Sequence, residues 1–175
     1  VNAISSLFLR AKDWQLFLLA VGGLPYVLTG KHLLLPLAFL AQVSYLAWLW
    51  STGSFLCAIR PRTATLGLGL FRSAVLCLSV CFFLSITIPQ NKFDLPTNLL
   101  GGLTAAWIFS LLLAVVGWPY VLYFMSRNLL LVEGDGPLTL TSYVGKFLLI
   151  GFLPVGVWII QPTINRLFSA QRKTT

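Results

Sequence analysis

LLGGLTAAWIFSLLLAVVGWPYVLYFM, residues 99–125, runs without a single Asp, Glu, Lys, Arg or His. A soluble helix of that length would carry a polar face along its whole axis. Crossing about 30 Å of hydrocarbon takes only ~20 apolar residues, so the stretch reads as a membrane span. The helical pattern continues past Met125, because Arg127 is the one charge before Val132. Glu133-Gly134-Asp135-Gly136-Pro137 then supplies the turn chemistry that stops it.

Working outward, the same emptiness recurs. Residues 33–57 form a second uncharged run of spanning length, and 14–28, 74–89 and 147–160 are shorter ones. Residues 74–89 cross if Arg72, Ser73 and Gln90 sit at the headgroups. Each of the two outer runs contains a Gly/Pro break, at Gly22-Gly23-Leu24-Pro25 and at Gly151-Phe152-Leu153-Pro154, where a helix kinks, tilts or turns back. With 58% hydrophobic and 9% charged residues, residues 1–175 read as a single integral membrane domain. The expected fold class is an all-α membrane protein, a bundle of four transmembrane helices plus a Pro-broken C-terminal segment that is either re-entrant or a fifth crossing. Residues 65–71, TLGLGLF, are apolar but too short to cross and are expected to lie at the interface.

Charge placement orients the bundle. Five crossings would put Arg10, Lys12, Arg60, Arg62, Arg72, Arg127 and Lys146 on one side against Lys31, Lys92, Arg166, Arg172 and Lys173, seven against five. If 147–160 turns back, Arg166, Arg172 and Lys173 join the first group and the count becomes ten against two. That asymmetry is the positive-inside pattern. It favours four crossings with a cytoplasmic N-terminus and, with the segment broken at Pro154, a cytoplasmic C-terminus. The first apolar run has Pro25 and Tyr26 where a cleavage site wants small residues, and reads as a retained segment.

The spans exclude several chemistries. Proton relays and hydrolysis at membrane depth draw chiefly on carboxylates, histidine and basic side chains there, and the five runs hold no Asp, Glu, Lys, Arg or His. His32 is the only histidine, which rules out a bis-histidine haem or a His-based metal cluster within one chain. Cys77 and Cys81 share a helix face but make only two ligands, so packing explains them better. Glu133 and Asp135 provide too few oxygens for a calcium loop and read as a solvated turn. No catalytic residue, metal or cofactor is expected, and the chain is not read as an enzyme.

Uncharged polar residues carry the remaining signal. Gln42 and Ser44, then Ser51, Thr52 and Ser54 further along the second span, are suited to interhelical hydrogen bonds or to the wall of a wet path. Arg60, Arg62, Arg72, Arg127, Arg172 and Lys173 are the expected contacts to anionic lipid headgroups. Nucleic acid is not an expected partner, since no aromatic stacking platform accompanies the charge. Trp14, Trp48, Trp50 and Trp158 are placed near an interface, whereas Trp118 and Tyr120 sit deep enough to pack between helices. LLAVGGLPYVL at 18–28 and LLAVVGWPYVL at 112–122 agree except at two positions. Such a pair occurs in inverted-repeat transporters, but a Leu/Val/Ala/Gly-rich alphabet also produces it by chance.

The stretches WQLFLL at 14–19, YVGKFL at 143–148 and above all FLPVGVWIIQPTIN at 152–165 resemble a group of small multi-pass membrane proteins of Bacteroidota. Lys146 stands where that group has an acidic residue, and Thr163 where it has Arg. The resemblance implies a bacterial inner-membrane protein and no particular activity. Taken with the apolar surface and short loops, it leaves function by association: a homo-oligomeric pore or membrane effector, or an accessory subunit anchoring a membrane complex. A small transporter with an inverted repeat comes third.

Overall fold

The structure is a computed structural model and describes residues 3–22, 24–29, 32–59, 67–87, 97–134 and 140–174. It is all-α over those residues. The helices are α1 (Ala3–Arg10), α2 (Asp13–Val21) and α3 (Leu24–Thr29), a 3-10 turn at His32–Leu34, then α4 (Leu35–Ile59), α5 (Leu68–Thr87), α6 (Thr97–Glu133), α7 (Leu140–Gly151) and α8 (Leu153–Thr174).

Local chemistry explains most of these boundaries. The first apolar run breaks in two: α2 ends at Gly22, whose N–H donates to the Leu18 carbonyl over 2.9 Å, and α3 begins at Leu24. Pro36 falls in the first turn of α4, where a missing N–H is tolerated. Gly67, at φ 111°, precedes α5, and the Phe71 N–H reaches the Gly67 carbonyl over 2.7 Å to open its first turn. Leu68 to Phe71 are therefore helical, so most of the segment expected at the interface belongs to α5. At the other end, Gly134 (φ 68°) follows α6. With 37 residues, α6 is roughly 55 Å long at 1.5 Å per residue.

The closing segment breaks as the Gly/Pro signal predicts, but at Phe152. Pro154 is the second residue of α8, a first-turn position that suits proline. The axes of 141–151 and 156–171 differ by 107°. Gly156 makes that reversal possible: a Cβ there would lie 1.6 Å from the Leu149 carbonyl oxygen, so only glycine lets the two backbones meet.

Among the described residues, two helices, Leu68–Ser85 within α5 and Gly101–Glu133 within α6, are long and apolar enough to cross a membrane; the bent α7–α8 pair adds a third if it counts as one span. The 25-residue α4 is long enough, but Gln42, Ser44, Ser51, Thr52 and Ser54 dilute its hydropathy and it is not among them. Neither is the 14–28 run, which its break reduces to helices of nine and six residues.

The chain divides into two compact units, 1–66 with 122–175, and 67–121. In the first, α2 packs on α4 and α8, α1 on α4 and α8, and α7 on α8. Leu9, Leu49, Leu56, Ile150, Ile160 and Ile164 are among its most deeply buried side chains. In the second, α5 and the first part of α6 form an antiparallel pair. The Trp107 indole donates to Ser85 Oγ over 2.8 Å towards one end, and the Tyr120 hydroxyl donates to the Gly67 carbonyl over 3.2 Å towards the other.

The two similar stretches adopt different structures. Residues 18–28 break at Gly22, whereas 112–122 lie inside α6 with Pro119 in mid-helix. They differ at Gly22/Val116 and Leu24/Trp118, and the extra glycine lowers helix propensity at the break.

Candidate functional site

A buried polar junction in the first unit is built around Gln161, whose side chain is fully buried. Its Oε1 accepts the Trp48 indole N–H over 2.8 Å. Its Nε2 shares two hydrogens among three acceptors, the carbonyls of Phe8 at 3.1 Å and Ala11 at 3.2 Å and Asn165 Oδ1 at 3.0 Å. Asn165 Nδ2 adds a 3.3 Å bond to the Ala11 carbonyl. One amide thus ties α4 and α8 to the α1–α2 connection, at a depth where each unmade hydrogen bond would cost ~1–3 kcal/mol. The connection itself is closed by Gln15, whose Oε1 accepts the Lys12 N–H over 2.9 Å.

Aromatic contacts give this junction a direction. Phe17 meets Trp158 edge-on at 5.7 Å, and Phe55 meets Phe168 at 5.5 Å. The Arg10 guanidinium lies 5.8 Å from the centre of the Phe168 ring, within cation–π range. Along α8, then, Trp158 is level with Phe17, Gln161 with Ala11 and Trp48, and Phe168 with Arg10 and Phe55. Helices α4 and α8 run parallel, and α2 runs against both.

Beside the junction, α1 and the start of α2 border an open cavity of about 600 Å³ whose walls are the apolar Leu7, Phe8, Ala11 and Leu16 and the polar Ser6, Arg10 and Gln15. Its volume falls within the roughly 300–1,000 Å³ usual for small-molecule sites. Gln161 holds the carbonyls of Phe8 and Ala11 and so fixes part of that wall.

A second polar contact joins α6 to α7. Lys146 Nζ lies 2.9 Å from both carboxylate oxygens of Glu133, whose side chain is only 8% exposed. The acidic residue read as part of a solvated turn is therefore one half of a largely buried ion pair. Asp135 lies outside the described residues.

The residues singled out in the second span all lie on α4 but do not form one stripe. Gln42 and Ser44 are about 160° apart around the axis, whereas Ser44 and Ser51 are about 20° apart. Ser44, Ser51 and Thr52 are buried, and Gln42 and Ser54 are half-buried. Gln42 Nε2, Thr52 Oγ1 and Ser54 Oγ are buried without a hydrogen-bond partner among the described residues. Of the expected lipid-contacting cations, Arg72 and Arg127 are exposed, on α5 and α6. Arg172 and Lys173 fall on the last turn of α8, and Arg60 and Arg62 lie outside the described residues. Trp48, expected near an interface, is instead 2% exposed and bonded to Gln161. Trp158 is exposed on α8, level with Phe17.

Sequence reasoning did not identify Gln161 as a hub. The available signal was the i, i+4 pair Gln161 and Asn165, two amides on one face of an otherwise apolar helix. Compared with family models, curated proteins and solved structures, the chain matches none.

Proposed function

We propose that this chain is a multi-pass membrane protein that works by association rather than catalysis, an anchoring or accessory component of a membrane assembly. Arg10 and the Phe168 end of α8 then face the cytoplasmic side of a bacterial inner membrane. The observation that carries this reading is the order of contacts along α8. Because Phe168 meets both Arg10 and Phe55, the basic end of α8 emerges beside Arg10, Lys12 and the end of α4. That is the arrangement in which ten of the twelve basic residues share one face. The 107° reversal between α7 and α8 supports a re-entrant closing segment. The crossings are then the broken α2–α3 pair, α4 as a protein-covered span, α5 and α6.

Association is supported by the outer faces of α5 and α6. Leu76, Val80 and Phe83 on one, and Phe109, Leu112 and Val115 on the other, are all more than half exposed. These surfaces suit lipid tails or a partner's helices. Glu133 is engaged with Lys146, which leaves fewer ionisable groups for chemistry. Labelling a single introduced cysteine at Thr174 tests the topology: protection from an impermeant reagent in intact cells is the expected result, and labelling from outside defeats it. Crosslinking from Phe109 and Val115 then identifies what covers α6.

A second reading, a homo-oligomeric pore, draws on the unpartnered polar atoms of Gln42, Thr52 and Ser54, which a wet lumen would satisfy. Ion flux in liposomes that falls on Thr52→Val would favour it over anchoring.

A further inference from the structure

We infer that the cavity between α1 and α2 is a binding site for one anionic phospholipid, its acyl chain against Leu7, Phe8 and Leu16 and its phosphate on Arg10. The inference rests on the membrane reading above and names a ligand for one place on it.

Three observations converge. The cavity of about 600 Å³ is bounded largely by apolar side chains, yet Arg10 is among its lining residues. An apolar trough beside a cation is complementary to an amphiphile with an anionic head. Arginine offers a planar fork of donors that matches phosphate oxygens in pairs. Secondly, Arg10 is exposed but anchored over the Phe168 ring. That contact limits the freedom the side chain would otherwise lose on meeting a ligand. Thirdly, the wall is preformed, because Gln161 fixes the carbonyls of Phe8 and Ala11 from behind.

Leu7 and Leu9 show how α1 serves both sides. Leu9 is fully buried in the protein, whereas Leu7 is 66% exposed, a costly placement in water but a suitable one against an acyl chain. Lys12, exposed one residue beyond the cavity wall, adds a second positive charge nearby, while Asp13 lies in the first turn of α2. A water-soluble phosphate would satisfy Arg10 but would leave the apolar wall uncovered.

The test is native mass spectrometry of the full chain in detergent, titrated with phosphatidylglycerol and with phosphatidylcholine of identical acyl chains. The wild type is expected to hold phosphatidylglycerol about fivefold more tightly or better, the scale of one basic residue near an anionic surface. Arg10→Gln should reduce that preference to near unity. Leu7→Ser, at an exposed position and so harmless to the fold, should weaken both lipids and preserve their ratio. Glycerol phosphate should displace neither. Equal affinity for the two lipids in the wild type, an unchanged preference in Arg10→Gln, or displacement by glycerol phosphate would each overturn the site. If Arg10→Gln does not fold, Leu7→Ser decides: unchanged affinity for both lipids rejects the acyl groove, and a parallel loss supports it. Alkaline carbonate extraction separates this from the broader reading. A chain that stays with the membrane but shows no lipid preference loses the site alone, whereas one released into solution loses the membrane assignment as well.

Discussion

Trp48 and Gln161 are 113 positions apart in the chain, yet the indole N–H of one donates to the amide oxygen of the other across 2.8 Å, with both side chains buried. The same amide also donates to the carbonyls of Phe8 and Ala11. Gln161 is therefore the point at which three separate segments are registered against each other.

Gln161→Leu should be the most damaging single polar-to-apolar change in the first unit. It leaves the Trp48 N–H and the Phe8 carbonyl without their partner, at about 1–3 kcal/mol for each buried group stranded. Trp48→Phe should cost less. The double variant should be less destabilised than the sum of the two, and a thermal or denaturant series in detergent measures that coupling.

Gly156→Ala should disrupt the α7–α8 reversal. The new methyl would fall 1.6 Å from the Leu149 carbonyl oxygen, a backbone atom that cannot swing away, so a loss of at least ~3 kcal/mol is expected. Gly145→Ala is the control: nothing lies within 4 Å of its added Cβ, and in a helix it should gain ~0.5–1 kcal/mol. Spin labels on α7 and α8 would report whether the bend opens in the first variant only.

Lys146→Met should destabilise more than the double variant Glu133→Gln/Lys146→Met. Removing the lysine leaves an 8% exposed carboxylate unpaired, at a cost of about 3–5 kcal/mol for a fully buried pair and less here, because Lys146 is 25% exposed. Replacing both partners removes the buried charge altogether. Equal stability of the single and double variants would show that the pair is solvated.

Thr52→Val should stabilise the fold by about 1 kcal/mol, since it removes a buried hydroxyl oxygen that has no partner among the described residues and keeps the shape. The same change distinguishes the two functional readings. An anchoring protein keeps its assembly, whereas a pore wetted at Thr52 loses flux.

Gly22→Val with Leu24→Trp converts the broken stretch into its counterpart within α6. If the additional glycine causes the break between α2 and α3, the double variant should gain helix, visible as an increase in far-ultraviolet ellipticity in the same detergent. No change would assign the break to packing on α4 and α8.

Much of the fold was readable residue by residue. The extent of α6 followed from an uncharged run closed by Glu133-Gly134, and the interruptions near Pro25 and Pro154 followed from glycine and proline, whose effects act within a turn or two. The placement of the second helix break was two residues off, at Phe152 rather than Pro154, because proline is accommodated inside the first turn that follows. Site residues were less legible. Gln42, Ser44, Ser51, Thr52 and Ser54 were noticeable as polar atoms in an apolar helix, but Ser44, Ser51 and Thr52 proved buried and the five share no face. Trp48 looked interfacial because tryptophan usually is, and its burial depends on Gln161 in α8.

The sequence by itself determined that this chain is helical and apolar enough for a membrane, since charge and the Gly/Pro breaks are properties of short stretches. Tertiary structure alone decided which apolar helix is covered. Helices α4, α5 and α6 are all apolar, α4 the least so; eleven of its 25 residues are buried, against 22% and 28% of the candidate spans in α5 and α6. It likewise decided that Gln161 answers Trp48 and that Lys146 answers Glu133. An amide or a carboxylate has the same hydrogen-bonding capacity wherever it stands; which partner satisfies it depends on how distant segments come together.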